Sequence, residues 1–271
     1  MSKPLPALPA LPALLLAILT VLPAGAATPS DAAKKGLEIA AEADRRDEGF
    51  VDARAEAEMI LRDAGGRSSV RIMQISTLEI VGDQDGDRTL VRFSEPRDIA
   101  GTTMLSYSHF TEDDDQWLYL PALKRVKRIS SSNKSGPFVG SEFAYEDILS
   151  QEHQRYTHKW ARDEACGEAR CFVVERVPKD ENSGYTRQLV WIDQQHYRPM
   201  RIDYYDRKNV LLKSLSYKNY RQFLGRFWRA HEMTMLNRQS GKSTVLRVSK
   251  YEFRVGLQKN DFRPGRLRTM R

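Results

Sequence analysis

After one early helical stretch, apolar and polar residues alternate along this chain almost to its end. Leu37, Ala40, Ala41 and Ala43 recur at helical spacing, Ser30 and Asp31 offer an N-cap, and Gly49 closes the segment. Beyond it the period falls to two. Strands are predicted at Ala55 to Met59, Val70 to Ile72, Leu90 to Phe93, Thr102 to Tyr107, Trp117 to Leu120 and Phe172 to Val174. They continue at Gln188 to Ile192, Arg201 to Tyr205, Val210 to Tyr220, Phe227 to Leu236 and Ser243 to Phe253, about eleven strands in all. Short turn sequences separate them, among them Ala64-Gly65-Gly66, Asp85-Gly86-Asp87, Asp113-Asp114-Asp115, Asn182-Ser183-Gly184, Arg207-Lys208-Asn209 and Ser240-Gly241-Lys242. Connections this short join antiparallel neighbours, so the pattern predicts a long meander and excludes an α/β fold.

Two places break the alternation. Trp117-Leu118-Tyr119-Leu120 is apolar on both faces, which predicts a strand covered on both sides. Further on, a polar loop from Ile129 to Pro137 leads into the apolar-rich stretch Phe138 to Leu149, where Ser141 offers a cap for a short helix with Phe143, Asp147 and Ile148 on one side. That stretch fits a lid or plug over an apolar cavity, and equally an ordinary core helix closing one end of a sheet. A single curled antiparallel sheet with helices inside its curve is a natural container for an acyl chain.

The N-terminus adds a destination. Lys3, an uninterrupted apolar run from Ala13 to Leu22 and the small residues Ala24-Gly25-Ala26 read as a signal peptide over residues 1–26, too short to span a bilayer. No Cys stands near the cleavage point, so the exported product, residues 27–271 as one domain, is expected to carry no lipid anchor. Cys166 and Cys171 are the only cysteines; in an oxidising compartment they are expected to pair, as a staple across a hairpin loop. The formal net charge of +7 includes Lys3. On an exported protein it favours peripheral contact with an anionic membrane or an acidic partner over nucleic acid.

Reactive chemistry is sparse. His109, His153, His158, His196 and His231 lack metalloprotease spacing, and no G-x-S-x-G is present. Gly241-Lys242-Ser243 has Leu236 where a phosphate loop needs Gly, and Asp83 to Asp87 departs from a calcium loop at Arg88 and Ser94. Glu146-Asp147 is an acidic pair, but surface carboxylates are common. The sequence therefore reads as a binding protein needing no metal or cofactor, with a hydrolase as the weaker alternative.

Several separated segments carry a resemblance. Asp114 to Val126, Ser130 to Lys134, Gly136 to Ser141, Tyr145-Glu146-Asp147, Arg92 to Pro96 with Ile99 to Thr102, and Arg198 to Asp206 together resemble the outer-membrane lipoprotein-sorting protein family. The resemblance implies a LolA-like periplasmic carrier: an unclosed β-barrel of about eleven strands, capped by helices around a hydrophobic cavity. It also implies carriage of a lipid or lipoprotein acyl chain through the periplasm, with an inner-membrane exporter of the RND superfamily as partner. A long Trp117 to Ile148 region leaves the cargo open between lipoprotein, free lipid, hopanoid-like and glycolipid molecules, and an accessory subunit of an envelope transporter is the alternative role. By pattern, Val91, Phe93, Met104, Trp117, Tyr119, Phe138, Phe143, Tyr145, Ile148 and Trp191 are candidates to line or cover the cavity. Ordinary core packing accounts for each equally well. Arg125, Lys127 and Arg128 are candidates for lipid head groups or an acidic partner, against the plainer reading of a solvated charged strand.

Overall fold

The computed structural model describes Met1, residues 28–82 and residues 85–269. The expected leader after Met1 lies outside the described residues, as do Asp83 and Gln84 of the calcium-like stretch. Helix α1 spans Pro29–Asp47; its cap is Thr28, whose hydroxyl accepts from Asp31 N–H at 3.2 Å, two residues before the Ser30 start that the pattern favoured. Pro29 suits the first helical position, where no N–H is needed. Ala32, Gly36, Ile39 and Ala40 form its buried stripe. At Gly36 a Cβ would lie 2.5 Å from the backbone nitrogen of Trp160, so only glycine lets the helix press this closely onto the sheet.

Among the described residues thirteen strands form one antiparallel sheet. The first meander is β1 (Asp52–Arg62), β2 (Ser68–Leu78), β3 (Asp85–Glu95), β4 (Thr103–His109), β5 (Asp115–Leu120) and β6 (Arg125–Ile129). The second is β7 (Tyr156–Cys166), β8 (Ala169–Pro178), β9 (Arg187–Asp193), β10 (Pro199–Tyr205), β11 (Leu211–Phe223), β12 (Phe227–Asn237) and β13 (Ser243–Phe253). Pairing of β1 with β13, from Ala53 opposite Phe253 to Arg62 opposite Ser243, fuses the meanders and places the chain's first and last strands in mid-sheet. The sheet is not closed into a barrel: β6 and β7 are its two edges. Charges at Arg125, Lys127 and Arg128 guard the first edge, and α1 packs against β7.

Two strands exceed the expected eleven. β6 carries only Val126 and Ile129 as apolar residues, and β7 interleaves charges throughout, because an edge strand needs no continuous apolar face. Asp85-Gly86-Asp87, expected as a turn, begins β3. The stretch after Ser141 is also not the expected helix. Phe138–Gly140 and Tyr145–Ile148 are single 3-10 turns, and the Ser141 hydroxyl donates to Phe138 O at 2.7 Å and accepts from Phe143 N–H at 3.2 Å. Residues 130–155, linking the two edges, fold into the curl as a plug. α1 is the one α-helix among the described residues.

The concave face holds the main core, from Met59, Met73, Val91 and Phe93 to Ile202, Leu215 and Met235. Trp117-Leu118-Tyr119-Leu120 is covered on both faces, as expected. Leu118 faces that core, while Trp117 and Tyr119 pack on the convex side beside Leu105 and the C-terminal turns that carry Phe262 and Leu267. Cys166 and Cys171 are joined, Cα to Cα 5.8 Å, across the β7–β8 hairpin.

Candidate functional site

The interior of the curl has a packed half and an open half. In the packed half the plug drives Phe138 against Phe93, ring centroids 5.8 Å apart, with Tyr145 edge-on to Phe138 at 5.7 Å. Val91, Met104 and Phe143 belong to the same buried cluster. Ile148 lies at the plug's end, where the packing stops and a cleft begins.

That cleft has a volume of about 1790 Å³ and runs between α1 and the concave face. Ala55 and Ile75 form one wall, Val190, Ile192 and Ile202 the other, and Ile148 with Leu149 the inner end. The alternation of each strand supplies these positions: every second residue of β1, β2, β9 and β10 turns inward. Tyr217, Tyr220 and Tyr251 add phenol rings; burial pushes all three hydroxyls up, Tyr251 to about 12, so they stay neutral. Tyr251 donates to Ala230 O at 3.1 Å.

Polar groups collect at the mouth. The Arg229 guanidinium pairs with Asp47, and Arg198 pairs with Asp193 at 2.6 Å while lying over the rings of Tyr220 and Trp228. His153 donates to Asp44 from both its backbone N–H, 2.9 Å, and Nδ1, 2.6 Å, and the hydrogen bond raises the imidazole pKa. Asp87 sits beside Glu152; burial and that like charge push its carboxyl up to about 7. His158 is buried and its pKa is lowered by desolvation; its Nε2 donates to His153 O at 2.9 Å. Among the described residues no three of His, Cys, Asp and Glu are grouped to hold a metal ion. An apolar trough with a polar, charged mouth suits an amphiphile with its tail inward.

The plug is held by a buried polar lock. Asp147 accepts from Lys213 Nζ at 2.6 Å, from the Tyr185 hydroxyl at 2.8 Å and from Ala144 N–H at 2.7 Å. Lys213 also donates to Glu142 O at 2.9 Å. Glu146 accepts from the Ser183 hydroxyl at 2.7 Å and Gly184 N–H at 2.9 Å, and burial raises its pKa. At Gly184 a Cβ would stand 2.7 Å from that of Ser135, a close approach that glycine permits. The Glu146-Asp147 pair is thus engaged in fastening the plug.

Of the residues the pattern singled out, the structure brings Val91, Phe93, Met104, Phe138, Phe143 and Tyr145 together in the packed half and sets Ile148 against the cleft. Trp117, Tyr119 and Trp191 lie elsewhere. Trp117 meets Tyr107 edge-on, ring centroids 5.0 Å apart, on the convex face with Tyr119 in the same cluster, and Trp191 packs there with Cys171 and Val173 and donates to Glu164 at 2.5 Å. Both tryptophans sit on strands whose two faces are covered, so apolarity alone does not say which face is the lumen. Arg125, Lys127 and Arg128 project from edge strand β6, with Arg128 paired to Asp115. Sequence reasoning missed the cleft walls at Ile75, Val190 and Ile202, whose inward alternation was legible, and the lock residues Lys213 and Tyr185, which carry no local signal.

An unclosed antiparallel sheet wrapped around an apolar trough, with one helix across it, defines the class: the LolA-like fold. A solved LolA superfamily protein from Nitrosomonas europaea has this fold at a TM-score of 0.66 with 21% identity, covering 84% of this chain and 97% of its own. A domain described as an outer membrane lipoprotein-sorting protein, from Vibrio parahaemolyticus, is 53% identical with a TM-score of 0.85, over 87% of this chain and 99% of that one. A DUF1329 family protein from Desulfovibrio piger is 30% identical with a TM-score of 0.82, over 87% and 99% of the two chains. A family model described as an uncharacterized protein matches residues 85–269. No curated protein matches the sequence. The chain belongs to the outer-membrane lipoprotein-sorting protein family.

Proposed function

We propose that residues 27–271 form a single periplasmic carrier domain that takes the acyl chain of a lipid or lipoprotein into the cleft and shields it from water. The observation that carries this reading is the cleft itself. Its volume of about 1790 Å³ exceeds the roughly 300–1,000 Å³ of drug-sized ligand sites, and aliphatic walls at Ala55, Ile75, Val190, Ile192 and Ile202 make up much of its lining, with the buried His158 and Arg176 beside them. Each methylene removed from water contributes about 0.8 kcal/mol, so a carrier offsets what a chain loses on leaving the membrane only if it covers most of its length, which asks for a cleft this large. Family membership and the fold of the Vibrio and Nitrosomonas proteins support the same reading. Transfer between membranes, with an RND-superfamily exporter loading or unloading the cargo, completes the proposal; the carrier itself performs no reaction.

Uptake of a fluorescent fatty acid by delipidated protein tests it. Saturable binding that Ile202→Asp abolishes supports the carrier, with circular dichroism confirming that the variant folds. Failure of the folded native protein to bind any acyl probe overturns it and moves the role to that of an accessory subunit.

A further inference from the structure

Five consecutive strands, β2, β1, β13, β12 and β11, end side by side at the mouth of the cleft. The loops leaving them carry the aliphatic tips Val51, Val81, Leu224 and Val255, which are 51%, 91%, 54% and 36% exposed. Val81 also borders the cleft, as do Gly49, Gly225 and Arg226 from the neighbouring loops.

Two of these tips occupy backbone conformations that their side chains disfavour. Leu224 has φ +51° and Gly225 φ +67°, two left-handed residues in the three-residue loop between the paired Phe223 and Phe227, closed by Arg226 N–H to Phe223 O at 3.0 Å. Gly and Asn are the usual choices at such φ, not Leu. Val51 stands at φ +73°, where a β-branched residue is an outlier, held by its N–H to Glu79 at 2.7 Å. Local folding therefore does not account for an aliphatic residue at either tip. Interleaved with them are Arg221, Arg226 and Arg254, all exposed and none in a salt bridge among those of the described residues. Most of the nearby acids are engaged: Asp44 with His153, Asp47 with Arg229, Glu79 with the N–H groups of Gly49 and Val51, and Asp52 with those of Val255 and Gly256, while Glu48 is exposed at the same mouth.

We infer that this rim is a docking surface for an anionic phospholipid bilayer, into whose interface the aliphatic tips dip while the arginines meet phosphates. Spaced aliphatic tips among unpaired cations match a surface that is apolar beneath and anionic above. The same rim surrounds the opening through which an amphiphile would pass. It lies apart from Arg125, Lys127 and Arg128 on edge strand β6, and it does not depend on the nature of the cargo.

The experiment is flotation of the delipidated full mature chain with vesicles of phosphatidylcholine alone and with vesicles mixed equally with phosphatidylglycerol. The native protein is expected to float with the mixed vesicles, less so at high salt. The pair Val51→Asn and Leu224→Asn, which suits the positive φ, should weaken that binding by roughly tenfold or more while leaving the melting temperature unchanged or raised. Arg226→Glu with Arg254→Glu should weaken it on mixed vesicles. A native protein that floats with neither composition overturns the inference, and so does an asparagine pair that binds like the native protein. A rim shaped for a protein partner gives the first of these results.

Discussion

Lys213→Met isolates the lock that holds the plug in the lumen. The Lys213 and Asp147 side chains are 5% and 2% exposed, so neither charge has water to fall back on. Removing the ammonium leaves the Asp147 carboxylate buried with only the Tyr185 hydroxyl and Ala144 N–H, and breaking a buried pair in this way costs about 3–5 kcal/mol. For a domain of this size that corresponds to a melting temperature roughly 6–20 °C lower. Asp147→Leu orphans Lys213 in turn. The double variant should lose at least ~2 kcal/mol less than the two single losses added together, since it leaves neither charge alone. Urea denaturation of the four proteins measures this, with equal m-values required before the midpoints are compared. Hydrogen exchange should place the loosening in residues 138–148. A Lys213→Met cost below about 1 kcal/mol, or strictly additive losses, would refute the argument that a desolvated charge pair fastens the plug.

Other consequences are as direct. Asp87 has its folded pKa raised to about 7, so the folded state holds its proton more tightly; its contribution is full below the ordinary carboxylate range and is lost as pH rises to about 7. Asp87→Asn should therefore stabilise the protein at pH 8 by about 1–3 kcal/mol and change little at pH 4, read as melting temperatures at the two values. Reducing the Cys166–Cys171 bridge should cost about 2 kcal/mol, the amount for so short a loop, in denaturation with and without reductant. Gly36→Ala improves helix propensity yet sets a methyl against the Trp160 backbone; a loss of about 1–3 kcal/mol and faster exchange in α1 are expected, and a gain would mean the helix is not seated as described.

Much of the architecture was legible in the sequence because it rests on local pattern. Trp117 to Leu120 announced a strand covered on both faces, Cys166 and Cys171 a hairpin staple, and the short turns an antiparallel meander. What escaped depended on long-range placement. β6 and β7 were hidden because an edge strand satisfies its polar residues with solvent and so loses the alternating signature. The stretch from Phe138 to Ile148 carries apolar residues dense enough to suggest a helix. Its hydrogen bonds instead go to Ser141, Asp147 and Lys213, and the last of these joins from a strand more than sixty residues away. Phe93, Met104 and Phe138 were recognisable as interior residues; that the plug packs them together, leaving the open volume beside Ile75 and Ile202, follows only from the curl of the unclosed sheet.

The carrier reading is tested most directly by mapping where an acyl chain sits. A fatty acid with a photoactivatable diazirine at mid-chain, irradiated in complex with the mature protein and followed by peptide mass spectrometry, should label β9, β10 and β11 around Val190, Ile202 and Tyr217. Excess unlabelled fatty acid should suppress the labelling. Labelling confined to the convex face around Trp117 and Phe262, or none in a folded protein, would contradict carriage in the cleft.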